Sequence, residues 1–259
     1  LDQAALYDHP EAVRTVAKET GVQEIKAIIH CQGSTSFMMS AVAGLVPQVR
    51  TIVTNAVSLH PVVPALSRFK LNYAVPLANL FVKYLNPQWG LHKPKGIAPM
   101  LLTWLIEATH HECDNGVCKQ VSFDYGSGFP ALWRHENLNE ETHEWLKHEF
   151  AACPLSFFFQ IARCIRKGNL VSAHGTGLPQ DFVAQPPKTG ARIAFFAGKE
   201  NLCFLPESQE RTFDYFNGFK KNYHSLHLLA GYSHLDVFMG KNAAQDVFPL
   251  ILEELDKPN

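Results

Sequence analysis

Two hydrophobic rhythms alternate along residues 8–57. Ala12, Val13, Val16 and Ala17 recur at helical spacing. Asp8 and Glu11 read as a capping box, Pro10 as a first-turn residue and Gly21 as the stop. Residues 25–30, Ile-Lys-Ala-Ile-Ile-His, form a short apolar run of strand length. The helical rhythm returns at Phe37, Met38, Ala41, Val42 and Leu45 and ends at Pro47. A β-branched run over 49–57 predicts a second strand. Helix, strand, helix, strand is the pattern of a parallel sheet, whose strands need a crossover helix between them.

The rhythm changes over residues 58–187. Apolar helical segments at 77–85, 100–109, 141–150 and 156–168 are separated by loops with Pro and Gly, and no strand alternates with them. This span reads as a mostly helical cap inserted into the α/β pattern, with 186–190 (Pro-Pro-Lys-Thr-Gly) as the linker out of it. The pattern then resumes as strand 191–197, helix 207–219, strand 223–229 and helix 243–255. The expected architecture is α/β: a core from 1–57 and 188–259, with about four parallel strands, and an insertion over 58–187.

Chemistry in open α/β sheets collects beyond the carboxyl ends of the strands. Cys31 follows the first strand directly, at a sharp turn into a helix, with Gln32 and Gly33 after it. Gly198-Lys199-Glu200-Asn201 follows the third strand, and His234 follows the fourth. Nucleophile, acid position and His is the chain order of a nucleophile-elbow enzyme. Cys31 as thiolate is a nucleophile, favoured at a helix N-terminus, and His234 is the base for it. The backbone N–H of Gln32 is an oxyanion donor. Asn201 takes the orienting position, as in Cys-His-Asn sites, with Glu200 as its rival. Two features depart from the Gly-x-Ser-x-Gly pattern: Ile29 stands where a small residue is usual, and Asn201 stands where a carboxylate is usual. Duller roles also exist for these residues, as small core filler for Cys31 and as turn residues for His234 and Asn201. His30 is expected to pack under the elbow.

These motifs resemble an α/β-hydrolase that lacks its early strands. More narrowly, five stretches resemble the C-terminal hydrolase-like region of GMC-type flavoprotein oxidoreductases of the cholesterol oxidase kind. They are His30-Cys31-Gln32-Gly33-Ser34-Thr35; Glu112-Cys113-Asp114 with Cys118-Lys119; Leu138-Asn139 with Thr142-His143; Gly168-Asn169-Leu170-Val171; and Gly231-Tyr232-Ser233-His234-Leu235-Asp236. The resemblance implies acyl cleavage or transfer on an apolar ester, thioester or lactone. It equally implies a non-catalytic domain that binds a lipid or sterol, or packs on an oxidase domain. Any FAD would sit in a separate N-terminal flavoprotein domain, because this chain carries no Gly-x-Gly-x-x-Gly fingerprint. With one helix before the elbow strand, a fragment is expected. The edge of strand 25–30 would then be covered by the insertion or by a second copy in a homodimer.

Composition narrows the partners. The 259 residues are 46% hydrophobic and 18% charged with a net charge of −1, which gives no basic surface for nucleic acid. No stretch reads as a membrane span or signal peptide, which suggests a cytoplasmic compartment. His110-His111 with Cys113 and Cys118 is looser than common zinc pairs and lacks a second pair nearby. No metal is therefore expected, and the two cysteines read as a local disulfide or free thiols. The run Phe157-Phe158-Phe159 reads as insertion core or pocket wall.

Overall fold

The computed structural model describes residues 1–173 and 177–258. Residues 174–176 of the expected insertion and 259 of the expected core lie outside the described residues. The chain enters through a π-helical turn, Ala4–Asp8, that runs without a break into α1 (His9–Thr20). Asp8 is itself helical and caps nothing, so the capping box is corrected to a continuing helix. Gly21 ends α1 at φ 70°, a left-handed conformation that suits glycine.

β1 (Ile25–His30) leads straight into α2 (Cys31–Val42), which starts at Cys31 itself. β2 (Val49–Asn55) follows. The insertion then supplies α3 (Ala65–Phe69), α4 (Val75–Ala78), β3 (Tyr84–Leu85), α5 (Ile97–Thr109), α6 (Gly116–Tyr125), α7 (Glu140–Trp145), β4 (Cys153–Pro154) and α8 (Leu155–Lys167). It is mostly helical, with one exception to the expected pattern: β3 and β4 pair antiparallel through Tyr84–Pro154 and Leu85–Cys153. The helix expected over 77–85 stops at Ala78 for this reason.

The core resumes with β5 (Arg192–Gly198), α9 (Glu207–Phe219) and β6 (Ser225–Leu229). After a short α10 (Asp236–Met239), the helix expected over 243–255 is broken at Val247 into α11 (Ala243–Asp246) and α12 (Phe248–Asp256). Pro249 sits in the first turn of α12, where its missing N–H costs nothing.

The main sheet has the order β1-β2-β5-β6, with each neighbouring pair parallel. β2 and β5 are buried on both faces, which explains their unbroken apolar runs. β1 is an edge strand among the described residues, and Ile28 on it stays 52% exposed, so the insertion does not cover that face. Parallel order puts the carboxyl ends of β1, β5 and β6 on one rim. The candidate residues of the first, third and fourth strands therefore meet there.

Candidate active site

Cys31 sits at φ 54°, a left-handed conformation that a residue with a side chain rarely adopts. The strain comes from turning strand into helix within one residue, and it presents the thiol at the apex. Ile29 is buried in the core beneath the turn, so the bulky residue is accommodated. A carbon added at Gly33 would meet nothing within 4 Å among the described residues, so this glycine is not a steric requirement here. Gly198 is one. A side-chain carbon there would lie 2.0 Å from the Ser233 carbonyl, so only glycine lets the end of β5 meet the loop carrying His234.

Cys31 Sγ and one ring nitrogen each of His30 and His234 lie within 4.8 Å of one another. The two imidazole centroids are 4.7 Å apart. His234 is fully buried. Asn201 Nδ2 lies 3.1 Å from His234 Nδ1. Glu200 does not join the site: its side chain is exposed at the rim, where it faces Arg134 electrostatically, and its backbone N–H donates to Tyr232 O. Of the two, Asn201 is the one hydrogen-bonded to the His234 ring. The strand-end twist aims these adjacent residues in different directions.

The Asn201 amide is held one way round. Its Oδ1 accepts from the backbone N–H groups of Cys203 (2.9 Å) and Phe204 (3.0 Å). A flipped amide would set donor against donor. Nδ2 must therefore donate to His234 Nδ1, and the ring proton resides on Nε2. This is the opposite of a base-competent triad, where the third residue accepts from Nδ1–H. In this tautomer His234 Nε2 carries the proton, whereas the expected role as proton acceptor needs it free. His30 is in the same state: Asn55 Nδ2 donates to its Nδ1 at 2.9 Å, and also to His234 O at 3.3 Å. The Nε2 atoms of both histidines are buried without a hydrogen-bond partner among the described residues.

These groups open onto a cavity of about 250 Å3. Val63, Leu71, Val75, Phe157, Phe158 and Ile161 supply its apolar wall. The phenylalanine run thus contributes two side chains to the wall, and the insertion forms the roof.

No protein-family profile and no curated protein matches this sequence. Solved structures do match it. A monoacylglycerol lipase of Paleococcus ferrophilus aligns over 96% of this chain and 75% of its own, with 11% identity and a TM-score of 0.52. A soluble variant of monoglyceride lipase from Saccharomyces cerevisiae aligns over 97% and 68%, with 11% identity and a TM-score of 0.53. A lipase in an open form aligns over 97% and 70%, with 15% identity and a TM-score of 0.56. The chain has the α/β-hydrolase fold. Its β1–α2 turn has the strand–turn–helix form of a nucleophile elbow, and the loop after β6 carries His234.

On this α/β-hydrolase frame, burial sets the protonation states. It pushes the Cys31 thiol up to about 11, against the pull of the Gln32 backbone N–H. It pushes His234 well below its ordinary value, with His30 adding to the effect, and His30 down to about 4. The resting site is a neutral thiol beside two neutral imidazoles. The expected thiolate is overridden, because the apolar roof removes more solvation than one helix N-terminus returns. Cys31 alkylation by iodoacetamide should therefore rise about tenfold per pH unit and show no plateau below about pH 10. A plateau near pH 7 would mean an ion pair with His234 and overturn the assignment.

Several site residues escaped sequence reasoning. Asn55, at the end of β2, ties His30 to the histidine loop. Asp236 fastens that loop: it accepts from Ser233 N (2.7 Å), Arg134 N (3.0 Å) and Asn137 Nδ2 (2.7 Å). Lys70 and Asp124 line the cavity; burial lowers Lys70 to about 8 and raises Asp124 to about 7. Asp236 stands in the Gly231–Asp236 stretch without a role assigned to it there, only position at a strand end could have flagged Asn55, and Lys70 and Asp124 carry no local signal. FAD does not fit the described residues. The turn after β1 carries a strained cysteine in place of a glycine-rich cradle. No helix among the described residues is long and apolar enough to cross a membrane.

Proposed function

We propose that this is a thiol acyl-transfer site for an apolar thioester, with Cys31 as nucleophile. The observation that carries the reading is the strained Cys31, facing an apolar cavity beside two neutral imidazole donors. The thiolate of Cys31 forms by loss of its proton to solvent and attacks the acyl carbon. A C–S bond forms, and charge moves onto the carbonyl oxygen. The Gln32 backbone N–H and an imidazole Nε2–H stabilise that oxyanion, as a neutral histidine does elsewhere. Collapse breaks the bond to the leaving group, which departs as a thiolate, and the acyl group stays on Cys31 as a thioester.

The tautomer selects the substrate. An alkoxide leaving group needs a proton, and neutral His234 donates one only by becoming imidazolate. A thiolate leaves unaided, since the free thiol has a pKa of about 8.5. Thioesters are therefore preferred to alkyl esters, and the apolar wall selects an aliphatic or sterol-like acyl group.

A second reading has its own support. Two buried imidazole N–H donors and a hard-to-ionise thiol also suit non-catalytic binding of a lipid or sterol through one oxygen. That is the role implied by the resemblance to GMC-type flavoproteins. Incubation with acyl-N-acetylcysteamine thioesters of increasing length, followed by intact mass spectrometry, separates the two. Transfer predicts one acyl adduct, absent in Cys31→Ala and much slower with the matching ethyl ester. Ligand binding without any adduct, equal in both proteins, would leave only the second reading.

A further inference from the structure

We propose that Cys113, Cys118, His135 and His143 form a structural zinc site that clamps the insertion over the cavity. Two sulfurs and two ring nitrogens of these residues lie within 4.8 Å of one another. Cys118 Sγ is 3.5 Å from His135 Nε2. Zinc bonds of about 2.3 Å to sulfur and 2.0–2.1 Å to nitrogen in a tetrahedron predict an S–N edge of about 3.6 Å. The two imidazoles meet edge-on with centroids 4.8 Å apart. His143 Nε2 is buried and has no hydrogen-bond partner among the described residues.

The donor set decides the metal. Thiolate and imidazole suit zinc, whereas magnesium and calcium take oxygen ligands. Four protein ligands close the coordination sphere, which is the pattern of a structural rather than a catalytic ion. The surroundings also orient the ligands. Asn115 Oδ1 accepts from Cys118 N at 3.0 Å, and Asn115 Nδ2 donates to His143 O at 2.8 Å. One side chain thus aligns a ligand on α6 with a ligand on α7. α7 has six residues and none of them is buried, so apolar packing does not hold it in place. Binding exchanges two thiol protons for one divalent cation, with no change of oxidation state.

The position gives the ion a purpose. α6 runs from Cys118 to the cavity residues Asp124 and Tyr125, and the chain beyond it supplies Leu132 to the same cavity. Leu132 O accepts from Leu235 N, next to His234. Metal bound at one end of α6 therefore steadies the roof and the histidine loop together.

His110 and His111, the histidines nearest the cysteines in sequence, are not ligands. His111 pairs with Ala108 O, and His110 meets the rings of Phe123 and Phe129 edge-on. The second ligand pair comes from the turn at His135–Asn137 and from α7.

The test is metal analysis of protein expressed with zinc and passed through desalting into dilute EDTA. The expected result is one zinc per chain. Replacement by cobalt should give the strong visible bands of a tetrahedral site together with thiolate-to-cobalt charge transfer. Asn115→Ala should weaken zinc about 10–100-fold without removing a ligand. Stripping zinc should strip hydrogen-exchange protection from 113–145 and leave β1, β2 and β5 unchanged. Three results would each overturn the site: no stoichiometric metal, a six-coordinate cobalt spectrum, or a Cys113–Cys118 disulfide in a non-reducing peptide map. Because the wild-type protein is itself decisive, misfolding of a Cys118→Ser variant does not spoil the test.

Discussion

Asn201→Asp should raise acyl transfer by about 10^2–10^4-fold and make alkyl esters substrates. The reverse change, Asp to Asn in a working triad, costs about 10^4 by fixing the wrong histidine tautomer. Here the wrong tautomer is the native one. The carboxylate introduced by Asn201→Asp would keep the two backbone hydrogen bonds from Cys203 and Phe204 on one oxygen. Its other oxygen would accept from His234 Nδ1–H, which moves the ring proton and frees Nε2 to take the thiol proton. The Cys31 thiol, at about 11 in the native site, should then titrate closer to neutral, and His234 should rise. The pH–rate profile of adduct formation should shift to lower pH, and the gain should vanish in a Cys31→Ala, Asn201→Asp double variant. A folded Asn201→Asp protein with unchanged rate and unchanged ester preference would show that His234 does not act on Cys31.

Glu254→Gln should cost about 3–5 kcal/mol of stability, because it leaves a buried guanidinium without its charge partner. Glu254 is fully buried on α12 and Arg192 is 5% exposed at the start of β5. Arg192 Nη1 donates to Glu254 Oε2 at 2.5 Å, and Nη2 donates to Glu254 O. His227 Nε2 and Lys257 Nζ lie 2.8 and 2.7 Å from Oε1. The cluster bolts the last helix to the centre of the sheet. For a chain of this size the loss amounts to a fall of roughly 10 °C in Tm, readable by calorimetry.

The pH dependence of that cluster follows from its sign. Burial alone would raise the Glu254 carboxyl, but the hydrogen bonds from Lys257, Arg192 and His227 win and hold it at about 2. The folded pKa is below the unfolded one, so this stabilisation is complete above about pH 5. It is lost as the pH falls through about 4 toward about 2. Wild-type protein should lose stability over that window, and Glu254→Gln should lose less. Parallel acid curves for the two proteins would rule out Glu254 as the source.

Local sequence was enough for the parts of the molecule that depend on neighbours along the chain. The apolar runs of β2 and β5 report burial on both faces, and helical spacing reports α2 and α9, because both periods are set by backbone geometry within a few residues. Parallel strands then force their carboxyl ends onto one rim, which is why Cys31, Asn201 and His234 were legible as a group. The choice between Asn201 and Glu200 was not legible, since it turns on which of two adjacent side chains points inward. Nor was the histidine tautomer, which is fixed by two backbone N–H groups that occupy Asn201 Oδ1. The ionisation of Cys31 was misread for the same kind of reason: the helix N-terminus is visible in sequence, but the roof that desolvates the thiol is built from distant residues. Cys113 and Cys118 were visible, but His135 and His143 join them only through the fold of the insertion. The sequence by itself determined the frame and which side chains gather at the rim. Tertiary packing decided their protonation and partners, because desolvation and donor–acceptor pairing are properties of groups that meet across the fold.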